Sequence, residues 1–545
     1  MSVTVYSARS IITMDPSCPT ATHVAVKDGK ILSVGTLEEV SMWGDYQLDT
    51  QFADKVLMPG MIEGHSHILE GALWDHAYVG YYDRLGPDGT THKGLTDLET
   101  VIEKLKELDA ALPDPDTPLV GWGFDPIFFG GTRVKASDLD RVSTTRPIIL
   151  LHASLHLINT NSEVLRRSEI DRSINLDVVF KDEKGEPTGE FASMVGIYLA
   201  TKGIDFDMMG ASTSPQSLRN FANLCRLAGV TTVTDLHSDL NEQTVARYVA
   251  ETSKPDYPCR LVTAFGGTLM PPAEGLARVQ AAQKHNTDKA RFGLVKLVAD
   301  GSIQGFTARL KWPGYFNGNA NGLWYIEPSA LASTIKTYHD AGHQIHIHTN
   351  GNETTEAVIE ALEEVLRESP WGDHRHTLQH CQMADEAQFS RMADLGIGVN
   401  LFSNHIYYWG DLHYTTILGP DRANKIDNAG AALKNGVALA IHSDAPITPI
   451  DPLFTAWCAI NRTTSTGRVL GGEEETLDLD EALYTITMGA ARSLKMDSEV
   501  GSIEVGKWAD FAVLEDDPYE LGPENLKDVR VWGTVLGGRI FSNEG

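Results

Sequence analysis

The stretch Val56-Leu57-Met58-Pro59-Gly60-Met61-Ile62-Glu63-Gly64-His65-Ser66-His67 decides how the rest of the chain is read. It is a short apolar, β-prone run ending in two histidines spaced i, i+2. Alternate residues of a strand point to one face, so His65 and His67 share a side at the strand's end. Two imidazoles placed so can chelate one metal ion. Alone, the spacing equally describes two surface histidines in a loop. The sequence that follows decides between these readings.

Downstream, strands and helices alternate. Leu218, Phe221, Leu224 and Ala228 keep a helical period, Gly229 ends that helix, and Val230-Thr231-Thr232-Val233-Thr234 is strand-like. Gln344 to Thr349 reads as a strand and Thr355 to Glu368 as a helix. Gly436 to His442 reads as another strand. Repeated strand–helix units over some 400 residues predict an α/β fold with a parallel (β/α)8 TIM barrel. Both ends are instead short-stranded, with a hairpin signal at Asp28-Gly29. Neither end has enough strands for its own core, so a small composite β-sandwich from residues 1–57 and 492–545 is expected. The barrel then occupies 58–491, with an irregular insertion at about 75–205.

The bulk properties exclude several classes. With 45 basic against 74 acidic residues the formal charge is −29, which argues against nucleic acid or an anionic membrane as partner. No apolar run reaches the roughly 18 residues of a membrane span. The first residues lack the basic and apolar regions of a secretory signal. Five scattered cysteines (18, 225, 259, 381 and 458), with no Cys-x-x-Cys, read as a reduced, cytoplasmic chain.

Barrel active sites lie at the C-terminal ends of the strands. Ligand-type residues in such places are His65 and His67, Lys296, His348, His380 and Asp444. Lysine is rarely buried unpaired. Lys296 therefore either faces water on an edge strand or is an ammonium of lowered pKa, able to take up carbon dioxide as a carbamate that bridges metals. His346 competes with His348 on one face. His442 competes with Asp444, though only an ionised carboxylate is both ligand and strong base. His285, His374 and His376 read as surface residues and His343 as structural.

The ordered set His-x-His, Lys, His, His, Asp resembles the metal-dependent amidohydrolase superfamily, and more narrowly its YtcJ-like branch, the amidohydrolase-3 family. Family-like segments include residues 58–67, Gly121-Trp122-Gly123-Phe124-Asp125 and His156 to Ser162. Others are Lys296 to Ser302, Leu378 to Gln382, Ser443-Asp444-Ala445-Pro446 and Gly501 to Asp510, so the likeness covers nearly the whole chain. The resemblance implies a distorted barrel and a composite β-sandwich. It implies His65, His67, His348 and His380 as ligands of one or two divalent ions, most simply Zn2+. It further implies carbamylated Lys296 as a bridge and Asp444 as ligand and general base. Two departures stand out: Thr349-Asn350-Gly351-Asn352 where Ala-Ile-Gly-Asp is usual, and His442 where a glycine commonly precedes Ser-Asp-Ala-Pro.

The expected activity is hydrolysis of a C–N bond in a linear amide, N-substituted formamides being the nearest class, by a metal-activated hydroxide with Asp444 as base. His156 is the candidate donor to the oxyanion or leaving group. Trp122, Arg309, Trp312, His346 and His442 are candidate substrate contacts. Aromatic residues crowd segments expected near the barrel mouth, which points to an uncharged aryl or alkyl substrate. The partner is then a small-molecule amide, and a homodimer is expected. The rival readings are a hydrolase of N-acyl-amino acids, esters or cyclic amides, and a non-catalytic metal-binding regulatory barrel.

Overall fold

A computed structural model describes residues 3–543. It falls into two compact units, residues 1–67 with 225–545, and residues 68–224.

The first unit is built on eight parallel strands in order: β1 (Met61–Glu63), β2 (Val230–Ser238), β3 (Arg260–Gly266), β4 (Ala290–Val298), β5 (Ile345–Thr349), β6 (Thr377–His380), β7 (Gly398–Leu401) and β8 (Leu439–Ile441). Runs such as Val230-Thr231-Thr232-Val233 and Leu261-Val262-Thr263-Ala264-Phe265 are buried throughout, as expected of parallel strands covered on both faces. The sheet curls until β8 returns to β1. The edges meet through a bridge of Ser66 with Ala445, and the His67 and Asp444 amides donate to the Ala445 and His65 carbonyls at 2.8 and 3.1 Å. Glu63, buried at the end of β1, accepts from the Ser443 hydroxyl (2.7 Å) and from the His65 amide (3.2 Å). Burial pushes its carboxyl up to about 8.

Both termini enter one seven-stranded sheet of the same unit, with Tyr46–Pro59 central, Val3–Ile12 on one side and Phe511–Leu514 on the other. Thr20–Lys27 and Lys30–Gly35 pair across the Asp28-Gly29 turn, whose φ values of 52° and 78° are the left-handed ones such a hairpin needs. Tyr6, Ile11, Phe52, Phe511, Val513 and Trp532 form its core. Arg260, at the start of β3, pairs with Asp510 at 2.7 and 3.1 Å and lies over the Trp508 ring. This charge pair is buried and ties the terminal sheet to the barrel.

Residues 68–224 hold a six-stranded sheet, Leu157–Thr160 and Ile148–His152 at its centre, over a core of Trp122, Ile149, Leu151, Ile158 and Phe191. The irregular segment 75–205 lies inside this unit. Among the described residues no helix is long and apolar enough to cross a membrane. All five cysteines are free.

One expectation is corrected here. His374 and His376 are not at the surface but buried beneath the barrel strands. The His376 ring donates to His339 Nδ1 (2.8 Å) and accepts the Ile345 amide, while His374 accepts the His376 amide and donates to the Leu395 carbonyl. The polar sequence around them hid a network that satisfies every ring nitrogen inside the protein.

Candidate metal centre

The β5–β6 pairing sets His348 opposite Gln379 and Thr349 opposite His380, so these strand ends finish level. The β8-to-β1 return brings Asp444 to the same end. His65, His67, Lys296, His348, His380 and Asp444 are therefore gathered from β1, β4, β5, β6 and β8. The His65 ring centroid lies 5.4 Å from that of His67 and 4.7 Å from that of His380, and His348 lies 4.4 Å from His380. Asp444 Oδ1 is 3.3 Å from Nε2 of both His65 and His67, and Lys296 Nζ is 3.4 Å from His65 Nε2. His380, Cys381 and Asp444 adopt φ of 68°, 47° and 54°. Such left-handed backbone costs of order 1–3 kcal/mol per residue and is concentrated at working sites.

Hydrogen bonds fix which nitrogens are available. His65 Nδ1 donates to Gln379 Oε1 (2.7 Å), and the Gln379 amide group donates to His346 Nδ1 (2.7 Å). His65 Nε2 thus carries the lone pair, and the Lys296 amine is its one hydrogen-bond neighbour, at 3.4 Å. His348 Nε2 lies 3.1 Å from the Gly301 carbonyl and 3.2 Å from the Asn350 side-chain amide, donating to the carbonyl in the tautomer that keeps its lone pair on Nδ1. Burial keeps His65, His380 and His442 well below the usual histidine range, and neighbouring positive groups add to the effect. Burial thus disfavours a positive charge on all three rings. Burial lowers Lys296 to about 7, partly opposed by Asp444, so a large share of its amine is uncharged at neutral pH.

This geometry fits a cation. The unprotonated His65 Nε2 faces an oxygen of Asp444 that has no hydrogen-bond partner, and His380 Nδ1 has none either. A lone pair set against a carboxylate oxygen, inside protein, is repulsive unless a positive ion lies between them. Histidine and carboxylate are the ligand types of zinc-like ions, and the Gln379 contact is the outer hydrogen bond such ligands characteristically make.

The candidate substrate contacts, and His156 with them, have different surroundings. His346 is buried with its Nδ1 on Gln379, one layer inside the strand ends. His442 stacks on His65 at 4.5 Å and 18°. The Arg309 guanidinium bonds Glu353 (3.0 Å) and the Gly322 carbonyl (2.9 Å) and covers the Trp324 ring. Trp312 is 93% exposed. Trp122 and His156 belong to the unit of residues 68–224, Trp122 in its core and His156 exposed.

Sequence reasoning missed four residues. Gln379 was legible only as the neighbour of His380. Asp300 accepts the amides of Asn350, Gly351 and Arg309 (3.0, 3.0 and 3.1 Å) and comes 3.6 Å from His348 Nε2. Burial raises its carboxyl to about 7. It holds the Thr349-Asn350-Gly351-Asn352 turn, where a Cβ on Gly351 would meet the Arg309 carbonyl at 1.7 Å. Glu63 buttresses the β1–β8 return. His237, at the end of β2, is lowered to about 4, by burial first and then by His67 and Lys296. The signal for His237 was Leu236-His237-Ser238 closing a strand.

A fold and a strand-end ring of this kind define the metal-dependent amidohydrolase superfamily. The amidohydrolase family profile matches residues 53–541, and the chain belongs to that family, in its YtcJ-like branch. It is 27% identical over 537 residues to YtcJ of Bacillus subtilis, covering 95% of each chain. It is 25% identical over 543 residues to the N-substituted formamide deformylase of Arthrobacter pascens, covering 97% of this chain and 96% of that one. Among solved structures, an uncharacterized metal-dependent hydrolase from Pyrococcus horikoshii shares the fold at a TM-score of 0.73 and 18% identity, over 96% of this chain and 99% of that one.

Proposed function

We propose that this hydrolase cleaves the C–N bond of a linear amide, an N-substituted formamide being the favoured class. The observation that carries the reading is the meeting of His65 Nε2 and His67 Nε2 on one Asp444 oxygen, each at 3.3 Å, with that oxygen lacking any hydrogen-bond partner, a set that calls for a divalent cation. His65, His67, His348, His380 and Asp444 would hold one or two such ions, Zn2+ foremost, with Lys296 joining them as its carbamate. A divalent ion there supplies a Lewis acid for the amide carbonyl and makes water a nucleophile near neutral pH.

The chain's own residues do the rest. Asp444 takes the proton released by the attacking water and returns it to the departing nitrogen. Gln379 fixes the His65 tautomer. Asp300 and Glu63 hold the two turns that carry His348 and Asp444. Support for the substrate class comes from the formamide deformylase that the chain resembles along its whole length.

The test removes metal with a strong chelator, then restores Zn2+ and follows formate release from N-benzylformamide. Loss and recovery of formate release are expected. Full activity in a demonstrably metal-free sample refutes the metal centre. A metal-restored enzyme that hydrolyses other amides but no formamide refutes the substrate class.

A further inference from the structure

We propose that His442 is itself a metal ligand, completing with His65 and His380 a three-imidazole set on the inner side of the ring. The inference rests on reading the strand ends as a metal centre. It departs from the expected ligand set, in which β8 contributes Asp444 alone.

Three observations carry it. First, one nitrogen from each of His65, His380 and His442 can be chosen so that all lie within 4.8 Å of one another, and all three residues are buried. The rings crowd one spot, with His442 4.5 Å from His65 and 5.0 Å from His380, centroid to centroid. Second, neither His442 Nδ1 nor Nε2 has a hydrogen-bond partner, although the residue is only 1% exposed. An imidazole always carries at least one N–H and one lone pair or two N–H groups. Leaving both nitrogens unmet in the interior is costly. Contrast His346, whose Nδ1 is met by Gln379. Third, the companions are prepared. His65 presents Nε2 because Gln379 occupies Nδ1, and His380 Nδ1 is unmet.

Phe402 stacks on the outer face of His442 at 5.1 Å and 21°, so His442 is sandwiched between Phe402 and His65. No hydrogen bond holds either His442 nitrogen and only stacking sets the tilt of the ring, so a turn that gives up part of that stacking aims one lone pair at the ion shared with its neighbours. Three imidazoles leave a zinc-type ion one open position, as hydrolytic centres require. Asp444, two residues along, then stands beside this ion as the proton acceptor. The second His442 nitrogen is an N–H free to donate to the bound amide.

The experiment measures metal, not turnover. Apoprotein of the wild type, His442→Gln and His442→Phe is titrated with Zn2+ against a chromophoric chelator. The Co2+-loaded forms are compared by visible absorption and by X-ray absorption. His442→Phe keeps the stacked ring without nitrogens, and His442→Gln keeps polarity if phenylalanine overfills the site. Equal melting temperatures of the three apoproteins establish that all are folded. At least a tenfold loss of Zn2+ affinity, altered Co2+ bands and one fewer imidazole per ion are expected in both variants. Wild-type affinity with unchanged Co2+ bands overturns the proposal and makes His442 a substrate contact. A wild type that binds neither metal overturns this inference together with the metal-centre reading. Intact binding with no formamide hydrolysis touches only the substrate class.

Discussion

His65 Nδ1 donates to Gln379 Oε1 at 2.7 Å, and this one bond decides which His65 nitrogen faces the centre. Gln379 is itself held, accepting from Asn400 (3.1 Å) and donating to His346. Replacing it by leucine frees the ring to flip and to take either tautomer. Gln379→Leu should weaken Zn2+ binding about 10- to 100-fold, the usual scale for an outer hydrogen bond to a ligand. Competition titration against a chelator reads this directly, and unchanged affinity would show that Gln379 positions nothing.

Asp444 faces both first-strand histidines at 3.3 Å and sits in a strained left-handed backbone. Asp444→Asn preserves shape and removes basicity. It should lower kcat at least about 10²-fold on metal-saturated enzyme. Single-turnover measurement at fixed metal content separates lost base from lost metal, and a kcat within a few fold of wild type would assign the base elsewhere.

How much of this was legible in the sequence depends on the range of the interaction. The strand-end ligands announce themselves locally, as polar residues that interrupt apolar runs, and their order along the chain places them on successive strands. Gln379, Asp300 and Glu63 do not, because each acts on a residue distant in sequence: Gln379 on His65, Asp300 on the turn after β5, Glu63 on Ser443. A glutamine beside a histidine looks the same whether it meets solvent or a ring 314 positions away. His376 was misjudged for the same reason. Its neighbours Asp373 and Arg375 are polar, while its own ring bonds His339 at the end of the helix Pro328–His339. Arg309 read as a free fork because its partner Glu353 lies beyond β5.

The buried pair Arg260–Asp510 predicts a stability effect without a catalytic one. Arg260 also donates to the Asp288 carbonyl (2.6 Å), and Asp510 accepts the Gly537 amide (2.7 Å). Asp510→Asn leaves a buried guanidinium without its counter-charge. It should destabilise the fold by about 3–5 kcal/mol, the scale for removing one partner of a buried ion pair. Denaturant unfolding measures this, and a change below about 1 kcal/mol would mean that water reaches the pair.

The histidine network under the barrel predicts a pH dependence. Burial holds His376 well below the ordinary histidine pKa, and His374 is lowered for the same first reason. His376 Nε2 donates to His339 and its Nδ1 accepts from Ile345, so a further proton has no acceptor. Lys495 adds positive charge nearby. As pH falls below about 6.5, the unfolded chain takes up protons that the folded chain refuses. Stability from this network is therefore complete above that pH and declines on acidification. The melting temperature should fall steadily from pH 6.5 to 4.5, and His376→Gln should flatten the slope. An identical slope in that variant would place the acid sensitivity in other groups.

Substrate charge gives the last prediction. An N-acyl-amino-acid hydrolase needs a cation for the carboxylate, and Arg309 was the candidate beside the aromatic cluster after β4. In the structure its guanidinium is committed to Glu353, to the Gly322 carbonyl and to the face of Trp324. Freeing it to form a fork would break all three contacts, so a carboxylate gains little by recruiting it. Neutral aryl or alkyl amides should therefore be preferred over their carboxylate-bearing analogues. Comparing kcat/KM for N-benzylformamide with that for the analogue carrying a ring carboxylate tests this. Arg309→Ala should leave the ratio unchanged and cost about 1 kcal/mol of stability, in keeping with a half-buried ion pair and a lost stacking surface. A preference for the charged analogue that disappears in Arg309→Ala would assign Arg309 to substrate recognition and the enzyme to N-acyl-amino acids.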